Sequence, residues 1–281
     1  MKKFFVFLLF CLNIMIFAAL PPESVMLESG NVRVRLDGRK RWNMNRIEYQ
    51  GQLLCVDNSH SHYGMTCRPH NFKFGVGSGH DESGFVEEAL SVKIYTDGKE
   101  VIPQKNVAVK GSKIKVVKNS KILDIDVIYT IVIENDIITE FIDAVASKDM
   151  KLHHLYFFMH PWSPRFSDLH IMFDNGTTAD VSFKSDNKFV NRKFAPYSAW
   201  YDKKSGYGVV TSFKNLKGGK KLMRLIWDRP QYRKDYLCDY FNDRLPAGHK
   251  ISYQSKTVFF RQQDKTKWIS AAEDIYKQIK L

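Results

Sequence analysis

The residues best suited to chemistry lie in residues 152–166, whose sequence is LHHLYFFMHPWSPRF. Side chains alternate between the two faces of a β-strand, so one face would carry His154, Tyr156, Phe158 and His160. The opposite face would carry three core-forming residues: Leu155, Phe157 and Met159. Imidazole and phenol groups serve as proton donors and acceptors in enzymes. We therefore predict a catalytic face made of His154, Tyr156 and His160, with Arg165 at its end.

Aromatic and basic residues elsewhere in the chain suit a sugar-binding groove. An aromatic ring packs against a sugar ring, and a guanidinium group pairs with an acidic substituent. The residues assigned to substrate binding are Trp162, Arg192, Tyr197, Trp200, Arg229, Tyr232 and His80. The alternative for each single residue is an ordinary half-buried position with satisfied hydrogen bonds.

A second histidine-rich stretch, residues 58–84, has weaker metal-binding features. His60 and His62 have H-x-H spacing, and His70 and His80 follow soon after. Neutral imidazoles together with a carboxylate could bind Zn²⁺ or Mn²⁺. Because H-x-H is common by chance, we favour a loop that lines the sugar groove. No cofactor is predicted, and a divalent metal at His60 and His62 stays as the alternative.

The chain after residue 20 consists of alternating segments separated by turn signals. NVRVRLDG alternates cleanly, and Asp97-Gly98 is a strong two-residue hairpin signal between alternating flanks. The last segment, residues 264–281, instead repeats at helical spacing. More than a dozen strands without βαβ alternation predict an all-β fold, a large antiparallel sandwich over residues 20–263. The final helix is expected to pack on this domain.

The N-terminus has the order of a secretory signal. Lys2 and Lys3 precede an apolar run, and small residues and prolines follow it. We predict a signal peptide over residues 1–19 and a secreted or periplasmic protein, with an uncleaved N-terminal anchor as the alternative. No other segment could cross a bilayer, so we expect no stable membrane insertion after cleavage.

The net charge indicates which class of partner the protein could bind, and the cysteine count limits its disulfide bonds. The chain has 43 basic and 30 acidic residues, a net charge of +13, and removal of Lys2 and Lys3 leaves 41 − 30 = +11. A basic exported protein suits an acidic partner, and we expect an anionic polysaccharide rather than nucleic acid, because no nucleic-acid motif is present. Removal of the predicted leader also removes Cys11, which leaves Cys55, Cys67 and Cys238. Because this number is odd, either Cys55 and Cys67 form one bridge or all three are buried thiols.

Part of the chain resembles the aldose 1-epimerases, also called galactose mutarotases. LHHLYFF is similar to their N-H-x-Y-F-N strand, with His154 at the position of the general-acid histidine. RLPAGHKISYQSKTVFF, residues 244–260, resembles their closing strand, and SAWYDKKSGYGVV, residues 198–210, resembles a strand–turn–strand of the same superfamily. The resemblance implies a β-supersandwich of the galactose mutarotase-like type, with a short C-terminal helix added.

The sequence departs from the mutarotase pattern at the residue that serves as the catalytic base. A mutarotase uses a glutamate there, whereas the corresponding region, RPQYRKDYLCDYF, offers only Asp235 and Asp239. The second mutarotase histidine has only loose candidates in His70 and His80. The same fold occurs in polysaccharide lyases, which need a base, an acid and a group that neutralises a carboxylate.

We therefore predict an exported lyase or epimerase that abstracts a proton from acidic, uronic-acid glycans. His154 or His160 would be the base and Tyr156 or Tyr197 the acid. Arg165, Arg192 or Arg229 would neutralise the carboxylate. A mutarotase acting on free sugars and a non-catalytic carbohydrate-binding protein are the two alternatives.

Overall fold

The computed structural model describes residues 23–55, 63–79, 87–241 and 244–279. The predicted leader, residues 1–19, lies outside these ranges. The strands in chain order are β1 (Ser24–Ser29), β2 (Val32–Asp37), β3 (Asn43–Tyr49), β4 (Gln52–Cys55), β5 (Gly64–Pro69), β6 (Val76–Gly77), β7 (Glu88–Thr96), β8 (Lys99–Val101), β9 (Val109–Lys110), β10 (Lys113–Ile122), β11 (Ile125–Glu134), β12 (Ile137–Ala146), β13 (Leu152–Trp162), β14 (Asp168–Met172), β15 (Thr178–Ser182), β16 (Lys188–Asn191), β17 (Tyr197–Tyr201), β18 (Tyr207–Lys217), β19 (Lys221–Asp228), β20 (Arg233–Tyr240) and β21 (Lys250–Arg261). A 3-10 turn, Gly38–Lys40, precedes β3, and one α-helix, α1 (Trp268–Ile279), ends the described chain.

The strands form two sheets. Sheet 1 has the order β16-β19-β20-β13-β4-β3-β2-β1-β9, with β5 beside β13 and β6 beside β5. Sheet 2 has the order β15-β14-β17-β18-β21-β12-β11-β10-β7-β8. Among the described strands only β1 and β9 pair in parallel. The predicted all-β antiparallel architecture with a C-terminal helix is confirmed.

Local sequence explains the regular part of sheet 2. Ile114 and Val116 on β10 face Ile133 and Ile131 on β11, and all four side chains are buried between the sheets. The hairpin from β7 to β8 turns at Asp97 and Gly98, whose φ angles are 49° and 83°. Positive φ at both turn positions matches the twist of the flanking strands, as the Asp-Gly pair predicts.

The interior of the sandwich also contains ion pairs. The Arg224 guanidinium donates to both carboxylate oxygens of Asp235, at 2.8 and 2.5 Å, and neither side chain is exposed. Lys118 lies 2.7 Å from Glu87, likewise buried. Because an unpaired buried charge is costly, removing one member of either pair would destabilise the fold.

Helix α1 covers part of the outer face of sheet 2. Its buried residues, Trp268, Ala272 and Ile279, lie on one stripe, and Trp268 stacks on Tyr201 at 5.1 Å between ring centroids. In the part of the chain that the structure describes, no helix combines the length and apolarity that a membrane span needs.

Cys55, Cys67 and Cys238 are all buried and free, so the alternative of a bridge between Cys55 and Cys67 is wrong. Burial raises the pKa of the Cys67 thiol to about 12. The thiol is therefore protonated and unreactive near neutral pH.

Candidate functional site

A bulge divides strand β13 into two parts with opposite orientation. His154 pairs with Tyr240 on β20 and Tyr156 with Cys238, but the register shifts between Phe157 and His160. Phe158 has a φ of 49°, a left-handed conformation that is uncommon for a bulky residue. An extra residue in a strand shifts every later side chain to the other face.

Before the bulge, β13 matches the predicted alternation. Leu155 and Phe157 point between the sheets, and Phe157 packs on Tyr253 of sheet 2 with 4.4 Å between ring centroids. His154 and Tyr156 point away from sheet 2, into a groove with a cavity of about 240 Å³. The groove is lined by Arg68, Phe74, Gly75, His154, Tyr156, Phe189, Trp227, Lys234 and Tyr236.

After the bulge, the predicted orientation is wrong. His160 points between the sheets, where its Nε2 lies 2.7 Å from Oε2 of Glu140, and Tyr129 donates to the same carboxylate. Trp162 is fully buried with its ring 5.0 Å from that of His160. Met159, expected in the core, instead contacts the groove-side residue Thr66. His160 and Trp162 therefore cannot line the groove.

His154 is the central polar group of the groove. Its ring centroid lies 4.4 Å from that of Tyr156 and 5.3 Å from that of Tyr240, and neither ring nitrogen has a hydrogen-bond partner among the described residues. Burial, with the positive charges of Arg68 and His153, lowers the pKa of His154 to about 4. The imidazole is therefore neutral at pH 7 and able to accept a proton.

The neighbouring phenols are held in their protonated form. Burial raises the pKa of Tyr240 to about 12, with a contribution from Cys238. Burial also raises the pKa of Tyr156 and of Tyr236, the next ring on β20. A neutral imidazole thus lies beside hydroxyl donors, a pair of groups that can remove one proton and supply another.

Two arginines at the border of the groove each stack on an aromatic ring. The Arg192 guanidinium lies over the Phe189 ring at 4.3 Å, and the Arg229 guanidinium lies over the Trp227 ring at 4.4 Å. Among the described residues neither arginine, nor Arg68, has a carboxylate within ion-pair distance. Two core-facing arginines of sheet 1, Arg224 and Arg233, are by contrast paired with Asp235 and Asp228.

Four other predicted site residues lie away from the groove floor. Arg165 is half-exposed, with Nη2 3.4 Å from the carbonyl oxygen of Leu53. Tyr197 is buried beneath α1, 4.5 Å from the Tyr276 ring, and Trp200 packs on Phe183 between the sheets. Tyr232 is buried with Arg229 5.7 Å from its ring. The side chains of strand β17 point alternately toward helix α1 and toward the core, so neither face of this strand reaches the groove on sheet 1.

The two carboxylates offered as mutarotase bases also face the interior. Asp235 is held by Arg224, and Asp239 accepts from the Tyr253 hydroxyl and from the backbone N–H groups of Lys220 and Lys221. Within the described ranges, the lining of the groove contains no carboxylate. Among the described lining residues, the candidate bases are therefore uncharged groups such as His154.

The fold has clear counterparts among solved structures. The Slr1438 protein from Synechocystis sp. PCC 6803 matches with a TM-score of 0.54 and 10% identity, over 89% of this chain and 99% of that one. A galactose mutarotase-like protein from Clostridium acetobutylicum matches with a TM-score of 0.50 and 9% identity, over 85% and 95%. This chain has the galactose mutarotase-like fold. The superfamily resemblance predicted from the sequence is thereby confirmed at the level of fold.

The galactose mutarotase-like fold also occurs within a larger enzyme. The α-N-acetylgalactosaminidase NagBb from Bifidobacterium bifidum, in its complex with GalNAc, matches with a TM-score of 0.53 and 10% identity, over 90% of this chain but only 38% of that one. No protein-family model matches the sequence, and no curated protein matches it either. These matches therefore show the fold and do not identify an activity.

Several groove residues of this mutarotase-like sheet were not predicted: Arg68, Phe74, Phe189, Trp227, Lys234, Tyr236 and Tyr240. The sequence of strand β20 could have indicated part of this set. Lys234, Tyr236 and Tyr240 share one face of the strand, and Arg233 and Asp235 share the other. Only Asp235 and Asp239 of this strand were considered as catalytic candidates from the sequence, and both carboxylates are bonded in the interior.

The metal candidates His60 and His62, and His80, which was assigned to substrate binding, lie outside the described residues. Within those ranges, no three His, Cys, Asp or Glu side chains come close enough to hold a metal ion. His70 lies on the β13 side of the loop after β5, where its ring stacks on His153 at 3.7 Å.

Proposed function

We propose that this protein is exported, binds an acidic saccharide in the groove and removes a proton from it, acting as a lyase or an epimerase. One observation carries the proposal: a neutral imidazole, His154, lies beside protonated phenols and beside Arg68, which has no carboxylate partner among the described residues. Abstraction of a proton next to a carboxylate needs a base in its uncharged form and a cation that stabilises the developing charge.

The roles follow from the positions. Arg68 pairs with the carboxylate of a uronic acid residue, and the His154 imidazole takes the C5 proton. In a lyase the electron pair forms a C4–C5 double bond, the C4–O4 bond breaks, and the phenol of Tyr156 or Tyr240 protonates the leaving oxygen. The imidazolium then returns its proton to the phenolate, which restores the site. In an epimerase a proton instead returns to the opposite face of C5.

An acidic ligand also fits the charge of the protein. The chain without its predicted leader carries a net charge of 41 − 30 = +11, and the described groove lining is basic and aromatic. Basic clefts raise the local concentration of anionic ligands. A polysaccharide outside the cell would meet such a groove directly.

The test is an assay of purified protein on a panel of uronic-acid polysaccharides in D₂O. A lyase would produce an unsaturated uronate, visible by ultraviolet absorbance, and an epimerase would incorporate deuterium at C5, visible by NMR. His154→Gln should abolish both signals, whereas His249→Gln, outside the groove, should leave them unchanged. Binding without product or deuterium would instead indicate a non-catalytic carbohydrate-binding protein and would overturn the proposed chemistry.

A mutarotase acting on free sugars is the second candidate. The similarity of fold to a galactose mutarotase-like protein favours it, and so does the match of His154 to the family's general acid. The described groove lining offers no carboxylate for the base, which is why we place this function second. Polarimetry of freshly dissolved α-galactose and α-glucose decides the point, because a mutarotase would accelerate the approach to the equilibrium rotation.

A further inference from the structure

The far end of the groove carries a four-membered stack of Arg192, Phe189, Trp227 and Arg229. Phe189 on β16 lies opposite Trp227 on β19 in the sheet register, and their rings are 4.9 Å apart with 13° between planes. The Arg192 guanidinium lies over the first ring and the Arg229 guanidinium over the second, at 4.3 and 4.4 Å. We refer to these four side chains as the arginine–aromatic stack.

The same arrangement occurs twice inside this protein, each time with a carboxylate bound. Arg224 lies 4.3 Å from the Phe213 ring centroid and binds Asp235, and Arg233 lies 4.7 Å from the Phe183 centroid and binds Asp228. An aromatic ring fixes the guanidinium plane and leaves its N–H groups free at the edge, where an oxyanion can bind them in pairs.

The arginine–aromatic stack lacks such a carboxylate among the described residues. Arg229 also has its Nε buried without a hydrogen-bond partner. Because the protein itself closes off this Nε, a ligand oxyanion would bind the other N–H groups of the guanidinium. The geometry of the stack is therefore already suited to an anionic group supplied by a ligand.

Along the sheet, the Trp227 end of the stack is displaced from the His154 end of the groove. On β20, Tyr240 pairs with His154 and Lys234 pairs with Trp227. Lys234 and Tyr240 are six residues apart on that strand, which corresponds to about 20 Å at the usual rise per residue. That separation is longer than one pyranose ring, and both ends line the same groove.

We propose that the arginine–aromatic stack is a second, distal anion-binding subsite, so that the ligand is an oligosaccharide with acidic groups on at least two separated residues. This inference rests on the proposed function, because it places the reacting residue at His154. Arg68 binds the acid group of the reacting residue, and Arg192 and Arg229 bind one further along the chain.

The test measures affinity against chain length by calorimetry, with galacturonic acid and oligogalacturonates from dimer to hexamer as probes. For the unmodified protein, affinity should rise about tenfold once the oligomer reaches the stack, as expected for an added charge-assisted hydrogen-bonded pair. The double variant Arg192→Gln/Arg229→Gln should lose this gain and keep its affinity for the monomer. Arg244→Gln, an exposed arginine paired with Asp149 elsewhere, is the matched control.

A second double variant, Arg192→Lys/Arg229→Lys, keeps the charge and removes the planar fork, and it should lose most of the gain. Equal length dependence in the double variants and the unmodified protein would overturn the distal subsite, as would the absence of any length-dependent binding. If His154→Gln loses turnover but the arginine variants keep the length dependence of the unmodified protein, only the distal subsite is refuted. Length-dependent binding without proton exchange refutes only the proposed chemistry.

Discussion

Arg68 and His154 are paired residues on adjacent strands, and both side chains face the groove. The positive charge of Arg68 adds to the effect of burial in lowering the pKa of His154 to about 4. The same arginine therefore helps to keep the imidazole unprotonated and is placed to bind an acid group beside it.

Removal of that charge should raise the pKa of His154. In Arg68→Gln we expect a value above 4 but still below the ordinary 6.5, because burial is the larger cause. NMR titration of the imidazole Cε1 proton, assigned by comparison with His154→Gln, measures it. Arg244→Gln should leave the titration unchanged, and an unchanged value in Arg68→Gln would show that burial acts alone.

The lowered pKa of His154 also predicts how stability depends on pH. Between about pH 4 and pH 6.5 the unfolded histidine binds more protons than the folded one, so the free energy of unfolding falls as the pH decreases. Allowing for partial exposure of the ring, this residue should account for about 2 kcal/mol of the loss. Urea unfolding at both pH values should show that much less pH dependence in His154→Gln. Identical pH dependence in the two proteins would contradict the assignment.

Breaking the buried Arg224–Asp235 pair should lower the free energy of unfolding, whereas replacing both residues by apolar ones should change it much less. Asp235→Ala leaves the Arg224 charge uncompensated and should lower the free energy of unfolding by about 3–5 kcal/mol. The apolar double variant Arg224→Met/Asp235→Leu should recover most of that loss. Asp274→Ala, which breaks an exposed pair with Lys277, should cost less than about 0.5 kcal/mol. A similar loss in single and double variants would argue against the pair as the cause.

Two glycines with nearly the same φ should respond differently to alanine. Gly218 has a φ of 76°, and an added Cβ would collide with the carbonyl oxygen of Lys250. Gly51 has a φ of 75° with no other atom within 4 Å of that Cβ. Gly51→Ala should cost about 1 kcal/mol through backbone strain alone, and Gly218→Ala clearly more. Thermal unfolding compares them, and equal losses would mean that the backbone moves to accommodate the methyl group.

The parts of the fold that follow from local pattern could be predicted. The Asp97-Gly98 turn and the alternation on β10 to β12 require only neighbouring residues, as does the apolar stripe of α1. Residues brought together by strand pairing could not be predicted in this way. Arg68 and Trp227 reach the groove from strands far apart in the chain, and no local signal connects them.

The site was partly mispredicted because polar residues face both sides of sheet 1. Strict alternation placed His160 beside His154, but the bulge at Phe158 turns His160 toward Glu140. Phenylalanine has no preference for a left-handed backbone, so the sequence around Phe158 carries no sign of the bulge. Asp235 is a similar case, because its partner Arg224 becomes adjacent only through the pairing of β19 with β20.

The bulge at Phe158 offsets the numbering of this strand by one residue. Deleting Phe158 would remove the extra residue and restore unbroken alternation, with Met159 still outward and His160 still inward against Glu140. A related chain that is one residue shorter here would therefore keep the same reactive surface, with His154 as the histidine that meets the ligand.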